Sequence, residues 1–568
     1  MKARLPSLLF LSLIMGTPAA LAEEDFDLGG DFGLEEEEAA PVAWFNYATL
    51  KLNFTSDDNF SFSKYRDLGE EGFDADLDLH YRSLSDASFW NLEIEDLGRD
   101  GQDLRFSWRN TSNLSVDFSY QETLWNGNNT GVTPFSGITM LTLPATWVPG
   151  VNTSSFAASQ FANQFEQDLL RKRLALTLDK RFSSAFDMGA SFAVEEKTGT
   201  YMQGMAIYSN AANPQAVLLP APVDQETTEF ELYGTFTLSN LSVTGRYWMT
   251  DFENLQSISW QNPYASGLGA AVDYPNGVGS YAASPDYDHW GYAVSLVYRF
   301  GRLATLTFDA SETETEQQNP LLPYSANTLW ITVALPTTAM DDSLDTSMFN
   351  VALLTRPMDK LSVNLRYRFN ERDNTASRYA WSYVRGDAAN PATADSALYN
   401  NPLNHEFERY TAEAIYRLPG SGKLHLAYDF EEKYRNYAAV TKTEEDIFSF
   451  RLHVPRTEHF THRFEAELSK LDGSTYEWSR SFFQTLAESL INQIPDNVRW
   501  TNHPLLRQYH VAYQEEMKFR WLTNWTPTDA WLLQLVAEDR SVDFDRSELG
   551  LREVTQSSAN RSEEHTSE

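Results

Sequence analysis

The chain has 568 residues, a formal net charge of −36 and no cysteine. These values exclude disulfides, thiolate metal sites and thioether haem attachment within the chain, and they disfavour nucleic acid, whose phosphates repel so acidic a surface. Beyond the first residues no run of about 18 apolar residues occurs and the mean hydropathy is −0.44; this excludes a helical membrane protein but not one that spans with strands.

Residues 1–22 read as a secretory signal peptide. Lys2 and Arg4 give a positive start, Leu8 to Met15 are apolar, and Ala20-Leu21-Ala22 supplies small residues for cleavage after Ala22. A retained anchor is the alternative, but the apolar stretch is shorter than the roughly 20 residues a spanning helix needs. Residues 23–41 are acidic and glycine-containing, with too little apolar surface to fold alone. They are expected to form a solvated periplasmic tail, with docking onto a partner as the other reading.

From about residue 42 to residue 560 a period of two takes over. Ala75, Leu77, Leu79 and Tyr81 oppose Asp74, Asp76, Asp78, His80 and Arg82. Leu114, Val116, Phe118 and Tyr120 oppose Asn113, Ser115, Asp117 and Ser119. The pattern recurs at Leu174/Leu176/Leu178, Phe230/Leu232/Phe236 and Tyr292/Val294/Leu296/Tyr298. It returns with Leu361, Val363, Leu365, Tyr367 and Phe369 against Ser362, Asn364, Arg366 and Arg368, and again at Leu424/Leu426/Tyr428/Phe430. About twenty such segments occur, most of about 8–12 residues, the length of a tilted strand crossing a bilayer. Phe 35, Tyr 27 and Trp 15 are spread along the whole chain, as aromatic girdles at two membrane interfaces require.

Connections alternate in length. Short ones are Ser239-Asn240, Gly301, 357–360 and 419–422; long ones are 121–170, 197–227, 311–345 and 370–405. Short turns on one side and long loops on the other are typical of outer-membrane barrels. The fold class is therefore all-β: a large transmembrane antiparallel β-barrel of the bacterial outer membrane. A soluble propeller or sandwich is the competing architecture. Arg366, Arg368, Glu413, Arg417, Glu465 and Glu467 weigh against it, because they suit a hydrated lumen behind a uniformly apolar outer face. Two connecting segments, 161–170 and 481–492, carry apolar residues at spacings of three and four and are predicted to be helical. Acidic pairs Asp57-Asp58, Asp341-Asp342 and Glu444-Glu445 are assigned to turns or loops, where calcium is conceivable although no EF-hand spacing is present.

Several ordered segments resemble the MtrB/PioB family of decahaem-associated outer-membrane proteins. They are D-L-D-L-H-Y-R at 76–82, F-W-N-L-E-I-E-D-L-G-R-D-G-Q-D-L-R-F at 89–106 and L-L-P-A-P-V-D-Q-E-T-T-E-F-E at 218–231. D-F-E-N-L-Q-S-I-S-W-Q-N-P-Y at 251–264, L-P-T-T-A-M-D-D-S-L-D-T-S at 335–347 and L-R-Y-R-F-N-E-R-D-N at 365–374 follow in the same order. The resemblance covers about residue 44 to about residue 470. It implies a barrel that sheathes a periplasmic decahaem or other multihaem c-type cytochrome for electron transfer across the outer membrane. A second, extracellular cytochrome can dock outside. Any haem is then carried by the partner, since this chain has no cysteine to attach it.

The sequence departs from the family pattern twice. Some relatives carry a C-x-x-C pair near the mature N-terminus, where this chain is acidic and cysteine-free. The last residues, 561–568, read R-S-E-E-H-T-S-E and match the translation of a common sequencing adapter, while Trp531, Leu533 and Leu535 still alternate. The chain is thus expected to be C-terminally truncated, with over twenty strands when complete.

No catalytic, cofactor-binding or metal-binding residue is assigned. The ten histidines are scattered; His453, His459, His462, His503 and His510 form no H-E-x-x-H. His459 and His462 could touch a metal but read better as polar strand residues. Phosphate-loop glycine patterns and nucleophile elbows are missing. The leading expectation is a non-enzymatic conduit sheath in the outer membrane. A general or substrate-specific porin is the runner-up, and an outer-membrane barrel enzyme the third reading.

Overall fold

The computed structural model describes residues 46–565, apart from internal stretches of which the longest are 57–63, 209–214, 265–277, 325–332, 391–397, 478–492 and 496–502. The segments 1–22 and 23–41, the Asp57-Asp58 pair and the pattern at 481–492 lie outside the described residues.

Twenty strands form one sheet. They are β1 Tyr47–Thr55, β2 Gly72–Leu84, β3 Ser88–Leu97, β4 Asp103–Asn110, β5 Leu114–Thr133, β6 Asn163–Arg181 and β7 Phe186–Tyr208. Next come β8 Gln215–Thr237, β9 Leu241–Asn254, β10 Tyr287–Phe300, β11 Ala304–Pro320, β12 Ala339–Met358, β13 Leu361–Asn374 and β14 His405–Arg417. The last are β15 Lys423–Arg435, β16 Lys442–Val454, β17 Phe460–Gly473, β18 Gln514–Thr528, β19 Trp531–Asp543 and β20 Glu553–His565. Each strand pairs antiparallel with the next in sequence. Among the described residues no pairing joins β20 back to β1. Residues 561–565 continue β20, with Arg561 opposite Leu535.

The period of two sets the facing of every strand, because successive side chains leave a strand on opposite sides. On β13 the side chains of Leu361, Val363, Leu365, Tyr367 and Phe369 share one face. Directly opposite them on β12 and β14 lie Leu353, Val351 and Phe349, and Ala414, Ala412 and Tyr410. This apolar face ends at Glu371, so its apolar band is centred on Leu365. An outward apolar band about 25 Å tall is what hydrocarbon requires of a barrel. Leu365, Leu426, Phe448 and Leu468 are exposed large apolar residues on this face, as expected for groups that lipid covers. A stacked aromatic group, Phe460 on Trp525 and Phe464 on Trp521, marks its border beside the short turns.

At one end of the sheet every connection is short, such as 238–240 between β8 and β9 and 359–360 between β12 and β13. Long ones, 134–162, 255–286, 375–404 and 474–513, lie at the other. In outer-membrane barrels the short turns are periplasmic and the long loops extracellular.

Three sequence expectations are corrected. Residues 163–170 are not helical but open β6, which pairs with the outer part of β5. The partner strand β5 is bulged there, with register shifts between Asn126 and Asn128 and between Asn128 and Gly131, while the apolar residues Phe161, Phe165, Leu169 and Leu170 fall at helical spacing in the sequence alone. The described residues of the interval 197–227 are strand, not loop: β7 and β8 are 23 residues each and pair out to Tyr208 opposite Gln215. Asp341-Asp342 and Glu444-Glu445 sit in β12 and β16 rather than in turns. All three arise from strands continuing past the bilayer, where neither hydrocarbon nor strand length limits the pattern.

Beyond the bilayer the β7–β8 hairpin separates from β6. Pairing with β6 reaches only Leu169 opposite Gly199. Gly199 has φ +142°, and a Cβ there would lie 2.1 Å from the Asp168 carbonyl oxygen, so the departure point requires glycine. The protruding hairpin buries Val217, Leu219 and Ala221 against a three-stranded loop sheet of Met140–Leu141, Ser257–Gln261 and Val278–Ala282. Leu141 and Leu219 are fully buried, with Ile258, Trp260 and Phe135 around them. The Tyr264 hydroxyl accepts from the Ala216 N–H at 3.0 Å, and the Trp147 indole donates to the Pro263 carbonyl at 3.0 Å. Trp260→Ala should cost the loop core about 3–5 kcal/mol. Limited proteolysis of intact cells should then cut the loops of this variant sooner, while the barrel keeps its resistance to sodium dodecyl sulfate at room temperature.

Candidate lumen surface

Residues opposed across an antiparallel pair point to the same side, so the polar face can be followed from strand to strand. One row runs Asn364, Glu413, Ala427, Ser449, Glu467, Lys518 and Arg540 across β13 to β19. The next runs Ser362, Ile415, His425, Arg451, Glu465, Arg520 and Glu538 over the same strands. Arg366, Thr411 and Asp429 form a third row, and Arg368, Arg409 and Glu431 a fourth.

Along these rows cations and carboxylates meet across strands. Lys518 Nζ lies 2.8 Å from Glu467 and Arg451 Nε 2.8 Å from Glu465, and within β17 Arg463 Nη2 lies 2.5 Å from the same Glu465 oxygen. Arg409 contacts Asp429 at 3.0 Å and Glu431 at 2.9 Å, while His425 pairs with Glu413 and Arg540 with Glu516. The rows border a concavity of about 490 Å³ that includes Arg366, Arg368 and Arg520. Such a wall is stable only in contact with water or a polar occupant, since charges facing hydrocarbon cost several kcal/mol each. The apolar outer face and charged inner face thus fix which side is lipid and which is lumen. Arg366, Arg368, Glu413, Glu465 and Glu467, assigned to the lumen from sequence, all lie on this wall.

A second charged knot lies at the loop end of β1 to β3. Asp76 is fully buried, and Arg99, in the turn after β3, is nearly so. Arg99 contacts Asp76 and, at 3.2 Å, Asp74. Lys51 Nζ lies 3.4, 2.7 and 2.9 Å from Asp76, Asp78 and Asp96. These three carboxylates are the one grouping among the described residues close enough to share a metal ion. The Lys51 ammonium already sits among them, so the knot is an internal ion-pair network. In the same turn burial, then the charges of Asp67 and Glu122, raises the Asp100 carboxyl above its ordinary range.

The histidines are dispersed as the sequence suggests. His459 Nδ1 lies 2.9 Å from the Thr526 carbonyl oxygen in a short turn. His462 stacks among Phe460, Phe464 and Trp521 on the outer face. Sequence reasoning missed the Lys51–Arg99 knot and the loop core. The only sequence signal for the core is the alternating I-S-W of 258–260, too short to separate from loop composition.

A large antiparallel sheet with an apolar exterior, a charged interior and opposite ends of unequal loop length defines an outer-membrane β-barrel. The profile of one family, described as "Putative outer membrane beta-barrel porin, MtrB/PioB", matches residues 54–562. The chain belongs to that family, and it resides in the outer membrane. It is 25% identical over 473 residues to Outer membrane protein MtrB of Shewanella baltica (strain OS185), covering 82% of this chain and 62% of that protein. The chain therefore spans less than two thirds of that relative's length. Among solved structures it is similar to the copper transporter OprC, with TM-score 0.40, 8% identity, and coverage of 83% of this chain and 62% of that one. It is also similar to the siderophore receptor PiuA of Acinetobacter baumannii, with TM-score 0.35, 11% identity, and coverage of 91% and 72%.

Proposed function

We propose that this barrel is the sheath of an electron conduit: its lumen holds a periplasmic multihaem c-type cytochrome, whose haems carry electrons across the outer membrane. The observation that carries the reading is a charged, cross-paired lumen wall in a sheet of twenty strands. Barrels of roughly 16–22 strands enclose aqueous channels or plugged lumens, wide enough for a protein occupant. The chain contributes no cysteine, so thioether-linked haem belongs to the occupant. This chain does no redox or hydrolytic chemistry; it excludes lipid from the haems and holds them in register. Residues 1–22 direct export in this reading. The loop core built on β7 and β8 offers a rigid outer rim on which a second, extracellular cytochrome can rest.

Purification of the tagged chain from its native outer membrane tests this. The expected result is a stoichiometric haem-staining partner and little ion conductance of the complex in planar bilayers. A haem-free protein that conducts ions freely would overturn the sheath reading in favour of a porin.

A further inference from the structure

Of the cations that border the concavity, Arg409, His425, Arg451, Lys518 and Arg520 are each paired with a carboxylate, and two on β13 are not. Arg366 and Arg368 stand two residues apart on the inner face, and Arg409 lies directly opposite Arg368. Like charges directly opposed across a strand pair repel each other. Arg409 is compensated by Asp429 and Glu431. Among the described residues Arg366 and Arg368 take part in no ion pair, hydrogen bond or ring contact; Glu413, the carboxylate whose charge couples to Arg366, is already held by His425 and Asn364. Both half-buried guanidiniums border the concavity of about 490 Å³. In a chain with 80 acidic and 44 basic residues, a local surplus of cation on the inner wall stands out.

We infer that Arg366 and Arg368 form an anion-docking point on the lumen wall, taking carboxylates presented by the surface of the protein that occupies the lumen. The planar fork of a guanidinium matches a carboxylate in two parallel hydrogen bonds, and two forks at a two-residue spacing on one strand face accept a pair of carboxylates. Neither guanidinium must first leave a carboxylate of its own wall, so docking costs no competing ion pair. The chain's net negative charge repels acidic surfaces elsewhere, which makes this point select the register of an acidic occupant. The inference rests on the sheath reading for its occupant but not for its chemistry.

The test has two arms, both on the full chain. In the first, fluorescein-labelled hexaglutamate is titrated into the purified, detergent-solubilised barrel and followed by anisotropy. Saturable binding is expected, weakened about tenfold or more in Arg366→Gln/Arg368→Gln and reduced by salt. Arg82→Gln, whose arginine is held by Glu93 and Asn91 on another part of the wall, should stay within about twofold of wild type. In the second arm, retention of the haem-staining partner is measured over a salt series, and the double variant should release it at lower salt. Heat-modifiable migration shows that each variant has assembled. An assembled double variant with unchanged hexaglutamate binding overturns the inference. Lost hexaglutamate binding with unchanged haem retention also overturns docking, and assigns the site to small carboxylates passing through the lumen. If wild type retains no haem protein, the sheath reading fails, and the hexaglutamate arm alone decides whether the arginines bind carboxylates.

Discussion

Leu365→Arg is expected to block assembly, while Arg366→Leu leaves it nearly unaffected. The two positions are adjacent, but Leu365 lies at the centre of the outer apolar band and Arg366 borders the lumen concavity. An arginine at mid-bilayer on the lipid face of a barrel costs roughly 2–4 kcal/mol. Around Leu365 the outer neighbours are Leu353 and Ala412, so the new charge finds no carboxylate. On the other face, Arg366 has no ion pair to lose among the described residues, and a leucine there exposes only modest apolar surface to the lumen. Heat-modifiable migration of the two variants, with periplasmic degradation products scored by immunoblot, measures the difference. Equal assembly of both would reverse the facing of β13 and of every strand in register with it.

Arg99→Met should destabilise the loop end of β1 to β3 by about 3 kcal/mol, because breaking a buried ion pair strands its partner charge. Asp76 is fully buried, and without Arg99 only Lys51 and the Asn53 amide, at 3.1 Å, remain to it. The Arg99 contacts are ionic rather than well-aligned hydrogen bonds, since its buried Nε and Nη2 meet no acceptor in hydrogen-bond geometry. Adding Asp76→Asn should therefore recover a large part of the loss. Urea unfolding of the single and double variants in detergent gives the coupling between them. Additive effects would show that the two side chains stabilise the region independently.

The transmembrane part of the fold was legible because hydrocarbon enforces a strict alternation on it. Leu361 to Phe369 face lipid at every second residue, and the intervening Arg366 and Arg368 can only face inward. Legibility fails where that constraint stops. In β8 the run L-L-P-A-P-V carries Pro220 and Pro222 and reads as a loop, yet it is strand. Beyond Gln225 opposite Asn254 it has only β7 as a neighbour, and an edge strand can hold proline. The start of β6 likewise lies beyond the bilayer, opposite the bulged outer part of β5. The charged wall was readable as a composition, but not its pairing. Which arginine meets which carboxylate depends on register between strands, and register is set jointly by turns and by the outer face. The Arg366–Arg368 surplus emerges only when the other cations around the concavity are seen to be matched.

Because, among the described residues, each of the twenty strands of the large sheet pairs only with its neighbours in sequence, the sheet can be laid into the membrane as successive hairpins. From β2 to β19 no strand waits for a distant part of the chain to arrive. The entropy of closing a connection grows only logarithmically, by about 0.6 kcal/mol per doubling of length. The loops on the far side can therefore lengthen, shorten or acquire a folded core like that around Trp260 at small thermodynamic cost. A lineage of such barrels is free to remodel what it shows to the outside while the inner wall keeps its register unchanged.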